Sequence, residues 1–138
     1  MSAIIANYDL TFKDAANPST GTATTAMSAS AWSEIIPLER SFMGEIHVFF
    51  SAGRTGTFYM QYSNDEGALD DEGVSRVNSN NIITNWVTHS SVSIGSTDDV
   101  CRITMSDIGA RWGRLYWAHS GGSTGGVISN ARVNVKGY

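Results

Sequence analysis

The sequence predicts an all-β protein: an antiparallel β-sandwich, either jelly-roll-like or immunoglobulin-like, with an extended N-terminal arm. Apolar and polar residues alternate with a period of two in several segments, whereas helical periodicity is nearly absent. Turns that contain glycine separate these segments. Clean alternation indicates sheets that are wet on one side, and two such sheets packed face to face form a sandwich.

The central segments carry the clearest alternation. Residues 43–63 contain two strand patterns joined by a short loop with Gly53 and Gly56, which predicts a hairpin. Residues 100–105 alternate again, and residues 106–109 indicate one helical turn or a tight loop. The side chains expected to face the core are those of Ile46, Val48, Phe50, Phe58, Met60, Tyr62, Cys101, Ile103 and Met105.

The last segment, residues 111–138, has two strand patterns around a glycine-rich turn at residues 121–126 and predicts a closing hairpin. In the first strand pattern Leu115, Trp117 and His119 lie on one face, and Trp112, Arg114 and Tyr116 lie on the other. In the last one Val127, Ala131, Val133 and Val135 share one face, and the opposite face is expected to be solvated. Trp112 and Trp117 have opposite strand parity. We therefore expect one of these two rings to be in the core and the other to be exposed or at an interface.

The first thirty residues differ from the rest. Apolar side chains occur at Ile4, Ile5, Tyr8, Leu10 and Phe12, and a tract rich in Thr, Ala and Ser follows. This pattern allows either a first strand plus a linker or an extended arm that docks on a neighbouring subunit. We divide the chain into an arm and linker, residues 1–30, and a sandwich domain, residues 31–138.

Composition excludes several classes of function. The net charge is −4, so no basic footprint for nucleic acid is present. No apolar run approaches the ~18 residues of a membrane span, and no targeting signal is recognisable. Only 16% of the residues are charged, against about 25% in typical soluble domains. A surface of small uncharged groups suits packing against other subunits, although turn-rich β structure requires the same residues.

No catalytic constellation is recognisable, and we expect a protein without enzyme activity, cofactor or metal. His47, His89 and His119 lie in three separate strand patterns without metal-ligand spacing. The acidic segment 64–72 could supply oxygen ligands for calcium, but its spacing is not that of an EF-hand loop, and a solvated loop is the favoured interpretation. Cys101 lies inside an apolar strand pattern, where a thiol is usually inert.

The aromatic residues offer a possible binding surface. They could form a platform on which sugar rings stack, although aromatic rings on strands are more often part of a core. The candidates are Trp32, Trp86, Trp112, Trp117, Tyr59, Tyr62 and Tyr116.

Four blocks of sequence carry a family resemblance. They are residues 56–65 (G-T-F-Y-M-Q-Y-S-N-D), Trp86, residues 114–126 and residues 133–137. In this order and spacing they resemble a recurring small β-sandwich of structural proteins of tailed bacteriophages. The resemblance covers residues 34–138, while the acidic insertion after Asp65 and the N-terminal arm depart from it.

The resemblance implies a virion protein, made in the host cytoplasm and located on the capsid surface. We expect a capsid decoration protein that binds the major capsid protein and copies of itself, for example as a trimer. The expected interface residues are Ile4, Ile5, Tyr8, Leu10, Phe12, Trp112 and Trp117. The alternative is a carbohydrate-binding adhesin module of a fibre or tail, which would bind a cell-surface glycan.

Overall fold

A computed structural model describes residues 3–15, 23–64 and 85–137, with side chains from residue 6 onward. The described residues form eleven strands in antiparallel pairs. No helix among them is long and apolar enough to cross a membrane. The strands are β1 (Ala3–Asp9), β2 (Phe12–Asp14), β3 (Ala23–Thr24), β4 (Ala31–Ser33), β5 (Ile36–Pro37), β6 (Ser41–Phe50), β7 (Arg54–Ser63), β8 (Val87–Ile94), β9 (Val100–Met105), β10 (Trp112–Gly122) and β11 (Ile128–Gly137).

The strands form two sheets with the nested pairing of a jelly roll. A four-stranded sheet has the order β1-β11-β6-β9, and a seven-stranded sheet has the order β3-β2-β4-β10-β7-β8 with β5 beside β10. β1 pairs with β11, β4 with β10, β6 with β9, and β7 with β8, so the chain folds back on itself and wraps into two layers. The predicted antiparallel sandwich is confirmed, in its jelly-roll form.

Both predicted hairpins are wrong. β6 and β7 belong to different sheets, and so do β10 and β11. Each pair is joined by an arch that crosses from one sheet to the other, and the two arches lie against each other. The Ser51 amide donates to the Val127 carbonyl at 3.0 Å, and the Gly126 amide donates to the Ser51 carbonyl at 3.0 Å. Two alternating segments around a glycine turn are equally compatible with a hairpin and with an arch.

Between the sheets lies one core of apolar side chains. The expected inward positions of β6 and β9 are confirmed: Ile46 and Val48 are fully buried, and Cys101, Ile103 and Met105 are buried beside them. Tyr62 and His119 are only half-buried.

In β11 the predicted alternation fails at the start of the strand. Val127 is 51% exposed, whereas Ile128 is buried with Ala131, Val133 and Val135. The pairing register with β6 shifts between Ile128 and Asn130. Such a bulge adds one residue and reverses the alternation on one side of it, which explains why the parity of Val127 did not predict its exposure.

The N-terminal segment belongs to the sandwich and is not a separate arm among the described residues. β1 pairs along its length with β11, and Tyr8 lies opposite Val133. Leu10 and Phe12 are 5% and 2% exposed and are part of the core. Burial of these two side chains joins the described part of the segment to both sheets, while the division at residue 30 stays a prediction. Residues 16–22 of the Thr/Ala/Ser tract lie outside the described residues.

The packing of the two arches predicts a position-specific effect of glycine substitution. Gly53 has a φ of 129°, and an added Cβ would overlap the Thr124 carbonyl. Gly53→Ala should lower the free energy of unfolding by about 1–3 kcal/mol, the cost of holding a side chain in a disfavoured conformation. Urea denaturation measures this difference.

Gly109→Ala is the matched control, because a Cβ at Gly109 would meet nothing within 4 Å. This variant should change stability by less than about 0.5 kcal/mol. Equal effects of the two substitutions would contradict the packing of the arches.

Candidate functional site

One of the rings of Trp112 and Trp117 was expected to be exposed or at an interface, but the structure buries both. Trp117 is 0% exposed, packs against Phe58 at a ring-centroid distance of 4.7 Å, and donates its indole N–H to the Met27 carbonyl at 3.0 Å. Trp112 is 9% exposed and lies outside the main core cluster, in register between Pro37 and Ser63 of the neighbouring strands. Opposite parity places the two rings on opposite faces of the sheet, but both are covered.

The other predicted interface residues with described side chains are not freely exposed either. Leu10 and Phe12 are buried, and Tyr8 is half-buried against the core. Burial raises the pKa of the Tyr8 hydroxyl above its usual value, with a further contribution from the Glu34 charge. The side chains of Ile4 and Ile5 lie outside the described residues, although both belong to β1.

A different set of aromatic residues covers the outer face of the seven-stranded sheet. Phe58 and Trp117 point into the core, so their chain neighbours Tyr59 and Tyr116 point outward, where they lie directly opposite each other. Tyr116 also lies opposite Trp32 of β4. Side chains that are directly opposite in adjacent strands share one face of a sheet. The term "aromatic face" is used below for Trp32, Tyr59, Gln61, Trp86, Arg114 and Tyr116.

The aromatic face contains a row of three rings on adjacent strands. The Trp32 and Tyr116 centroids are 6.1 Å apart with an interplanar angle of 64°, and the Tyr59 and Tyr116 centroids are 6.3 Å apart at 23°. All three side chains are half-buried, so each ring keeps part of its surface in solvent. Rings held at this spacing by strand pairing need no rearrangement to present a continuous apolar strip.

Arg114 lies beside this row, between two indole rings. Its guanidinium carbon is 4.2 Å from the centroid of Trp32 and 4.3 Å from that of Trp86, a double cation–π arrangement. Its Nε–H donates to Gln61 Oε1 at 2.7 Å, and Gln61 Nε2 donates to Thr88 Oγ1 at 3.4 Å. Burial lowers the pKa of Arg114 to about 10, so the group stays charged at neutral pH.

A second aromatic pair lies near the end of the same sheet. The Tyr62 ring stacks on His89 with centroids 4.8 Å apart and planes 27° from parallel. The Tyr62 hydroxyl donates to the Ser106 carbonyl at 3.2 Å, and His89 Nε2 lies 3.2 Å from Ser106 Oγ. Burial raises the pKa of Tyr62 to about 12. The Ser106 contacts tie the loop after β9 to the end of the seven-stranded sheet.

The remaining candidates from the sequence do not assemble into a site. The three histidines lie on β6, β8 and β10. Within the described ranges, no three His, Cys, Asp or Glu side chains come close enough to hold a metal ion. Residues 65–72 of the acidic segment lie outside the described residues, so the calcium hypothesis stays a prediction. Cys101 is 1% exposed, and burial raises the pKa of its thiol to about 12, as expected for an inert cysteine.

Comparison with known proteins finds solved structures of low sequence identity. No protein-family model and no curated protein matches the chain. One solved structure is a chitosan-binding module 1 derived from a chitosanase/glucanase of Paenibacillus sp. IK-5. It has 16% identity and a TM-score of 0.44, over 95% of this chain and 76% of the other.

A second neighbour is a selenomethionine-labelled mutant of that module, with 17% identity and a TM-score of 0.48 over 93% of this chain and 92% of the other. With TM-scores below 0.5, neither neighbour bears on the function of this chain.

Sequence reasoning found part of the aromatic face and missed its charged member. Trp32, Trp86, Tyr59 and Tyr116 were among the candidates for a sugar-stacking platform, and the structure places them around Arg114. Arg114 itself entered the sequence analysis only within the predicted closing hairpin and the block that carries the family resemblance. The available signal was its parity, because it shares the outward side of β10 with Tyr116.

The contact between Gln61 and Arg114 predicts a measurable cost of its removal. Gln61→Leu keeps the side-chain size but leaves the half-buried Arg114 Nε–H without its acceptor. We expect the free energy of unfolding to fall by about 1–3 kcal/mol, the usual cost of an unsatisfied polar group. Thr57→Val, a β-branched exchange on the same face of β7, is the control and should change stability by less than about 0.5 kcal/mol. An equal effect of both variants in urea denaturation would refute the role of this hydrogen bond.

Proposed function

We propose that this protein is a carbohydrate-binding module and that the aromatic face is its binding surface. The observation that carries this proposal is the row formed by Trp32, Tyr116 and Tyr59 on the solvent side of three adjacent strands. Sites for small ligands combine aromatic surface with a few fixed polar groups. This face has both, since Gln61 and Arg114 lie beside the row.

The chemistry of a sugar ring matches such a surface. A pyranose presents C–H groups on its faces, which pack on aromatic rings, and hydroxyl groups on its rim, which need hydrogen-bond partners. Tyrosine and tryptophan provide apolar area and a polar end at the same time. Ser91 and Ser93 of β8 add exposed hydroxyls, and Ser91 lies directly opposite Tyr59. A chain of sugars lying across the strands would therefore meet rings and hydroxyls in turn.

Capsid decoration has less support than carbohydrate binding. The contacts expected for docking on a shell included Leu10, Phe12, Trp112 and Trp117, and the protein buries all four within its own fold. The bacteriophage resemblance and a virion location stay predictions, as does the absence of enzyme activity. Both functions would use a non-catalytic surface, but only sugar binding uses the aromatic rings that remain partly exposed.

The test is a glycan array followed by calorimetric titration of the positive ligands. Trp32→Ala and Tyr59→Ala should each weaken binding by about tenfold or more, because each removes one stacking surface of the row. Phe49→Ala is the matched control, since Phe49 is 46% exposed on a strand of the opposite sheet. The Phe49→Ala variant should bind the same glycans with the same affinity as the unchanged protein. Absence of binding to every glycan, or an equal loss in all three variants, would overturn the proposal.

A further inference from the structure

The two sheets differ in how the charged side chains of their described strands are paired. In the four-stranded sheet the carboxylates are paired: Glu45 contacts Arg102 and His47, and Asp9 contacts Arg132 at 2.8 Å. The strands of the seven-stranded sheet contain one acidic residue, Asp14. The same strands contain three cations, Lys13, Arg54 and Arg114, so cations outnumber carboxylates among them.

Two of these cations adjoin the aromatic row. Lys13 of β2 lies directly opposite Trp32, so it extends the row by one strand on the same face. Arg114 lies two residues before Tyr116 on β10, which places it on the same outward side. Asp14 follows Lys13 in the chain and therefore has the opposite parity. The aromatic row therefore has the positive charge of Lys13 at its Trp32 end and that of Arg114 beside it.

Arg114 has no anionic partner among the described residues. Its contacts are the neutral Gln61 amide and the two indole rings, and none of the ion pairs of the described chain includes it. A cation withdrawn from water without a counter-charge is unfavourable, and the lowered pKa of Arg114 reflects the same burial. An external anion would supply the missing counter-charge.

The orientation of the guanidinium also suits an anion. Its central carbon lies over both indole rings, 4.2 Å and 4.3 Å from their centroids, and its Nε–H donates to Gln61. The terminal amino groups of a guanidinium form a planar fork that matches the two oxygens of a carboxylate. Because the stacking and the Gln61 hydrogen bond already hold the group, little side-chain entropy remains to be lost on binding.

We propose that the aromatic face selects acidic oligosaccharides, with the carboxylate of a uronic acid residue bound by the terminal nitrogens of Arg114 while neighbouring sugar rings pack on the aromatic row. This inference rests on the proposed function and adds the chemical class of its ligand. Lys13 contributes longer-range attraction at the end of the row. A sulfate ester offers related oxygens but lacks the planar two-oxygen geometry, so the carboxylate is the expected group.

The first experiment compares two ligands with the same sugar backbone, one with free carboxylates and one with neutral methyl esters. Oligogalacturonic acid and its methyl ester are titrated into the whole protein by calorimetry, at low and at high ionic strength. The acid should bind at least about tenfold more tightly than the ester, because hydrogen bonds to charged groups contribute more than neutral ones. High salt should reduce this difference. Equal affinity for acid and ester would overturn the inference but leave carbohydrate binding intact, whereas absence of binding to any glycan overturns carbohydrate binding itself.

The second experiment assigns the preference to Arg114. In Arg114→Gln the ratio of acid to ester affinity should fall to about one, and Arg114→Lys should give an intermediate ratio because it keeps the charge without the fork. Arg102→Gln, on the opposite sheet, should keep the full ratio. A preference that persists in Arg114→Gln would refute the assignment. Tighter binding of a sulfated oligosaccharide than of the uronic acid would refute carboxylate recognition.

Discussion

Burial of Trp117 against Phe58 determines which residues of the seven-stranded sheet reach the solvent. The indole is fully covered, hydrogen-bonded to Met27, and so close to Gly56 that a Cβ there would collide with it. Since strand residues alternate between faces, fixing these two rings inward fixes Tyr116 and Tyr59 outward. If the pairing of these strands shifted by one residue, the side chains of the aromatic face would point into the core and the core side chains would point into the solvent. The pairing register of β7 and β10 therefore determines both which side chains form the core and which form the candidate site.

The sequence predicted the fold class, but not the connections between strands. Alternation over β6, β7, β9 and β10 was sufficient to identify strands and the residues that share a face, because burial on one face imposes a period of two. It could not show that β6 and β7 lie in different sheets, since a glycine-containing loop serves a hairpin and an arch equally. That choice depends on distant partners, such as the hydrogen bonds between Ser51 and Val127. The bulge after Ile128 is likewise a property of pairing rather than of composition.

Less of the candidate site was predictable. The parity rule identified Trp112 and Trp117 as a pair on opposite faces, but parity does not tell what lies above each face, and both rings are covered. Arg114 was missed because a single arginine in a strand is unremarkable until its neighbours are known. Trp32 and Trp86 are far from it in sequence and meet it only through the folding of β4 onto β10 and the approach of the segment before β8. The cluster of Arg114 with the two indole rings therefore depends on the order of the strands in the sheet and cannot be seen in any one sequence segment.

The position of β11 between β1 and β6 has a consequence for biosynthesis. The four-stranded sheet cannot assemble until residues 128–137 have left the ribosome, so β1 and β6 must wait with unpaired edges while the rest of the chain is made. Pairings between segments this distant in sequence form slowly, and open edges invite association with other chains. Early folding intermediates of this protein should therefore be open to association with other chains until β11 has paired.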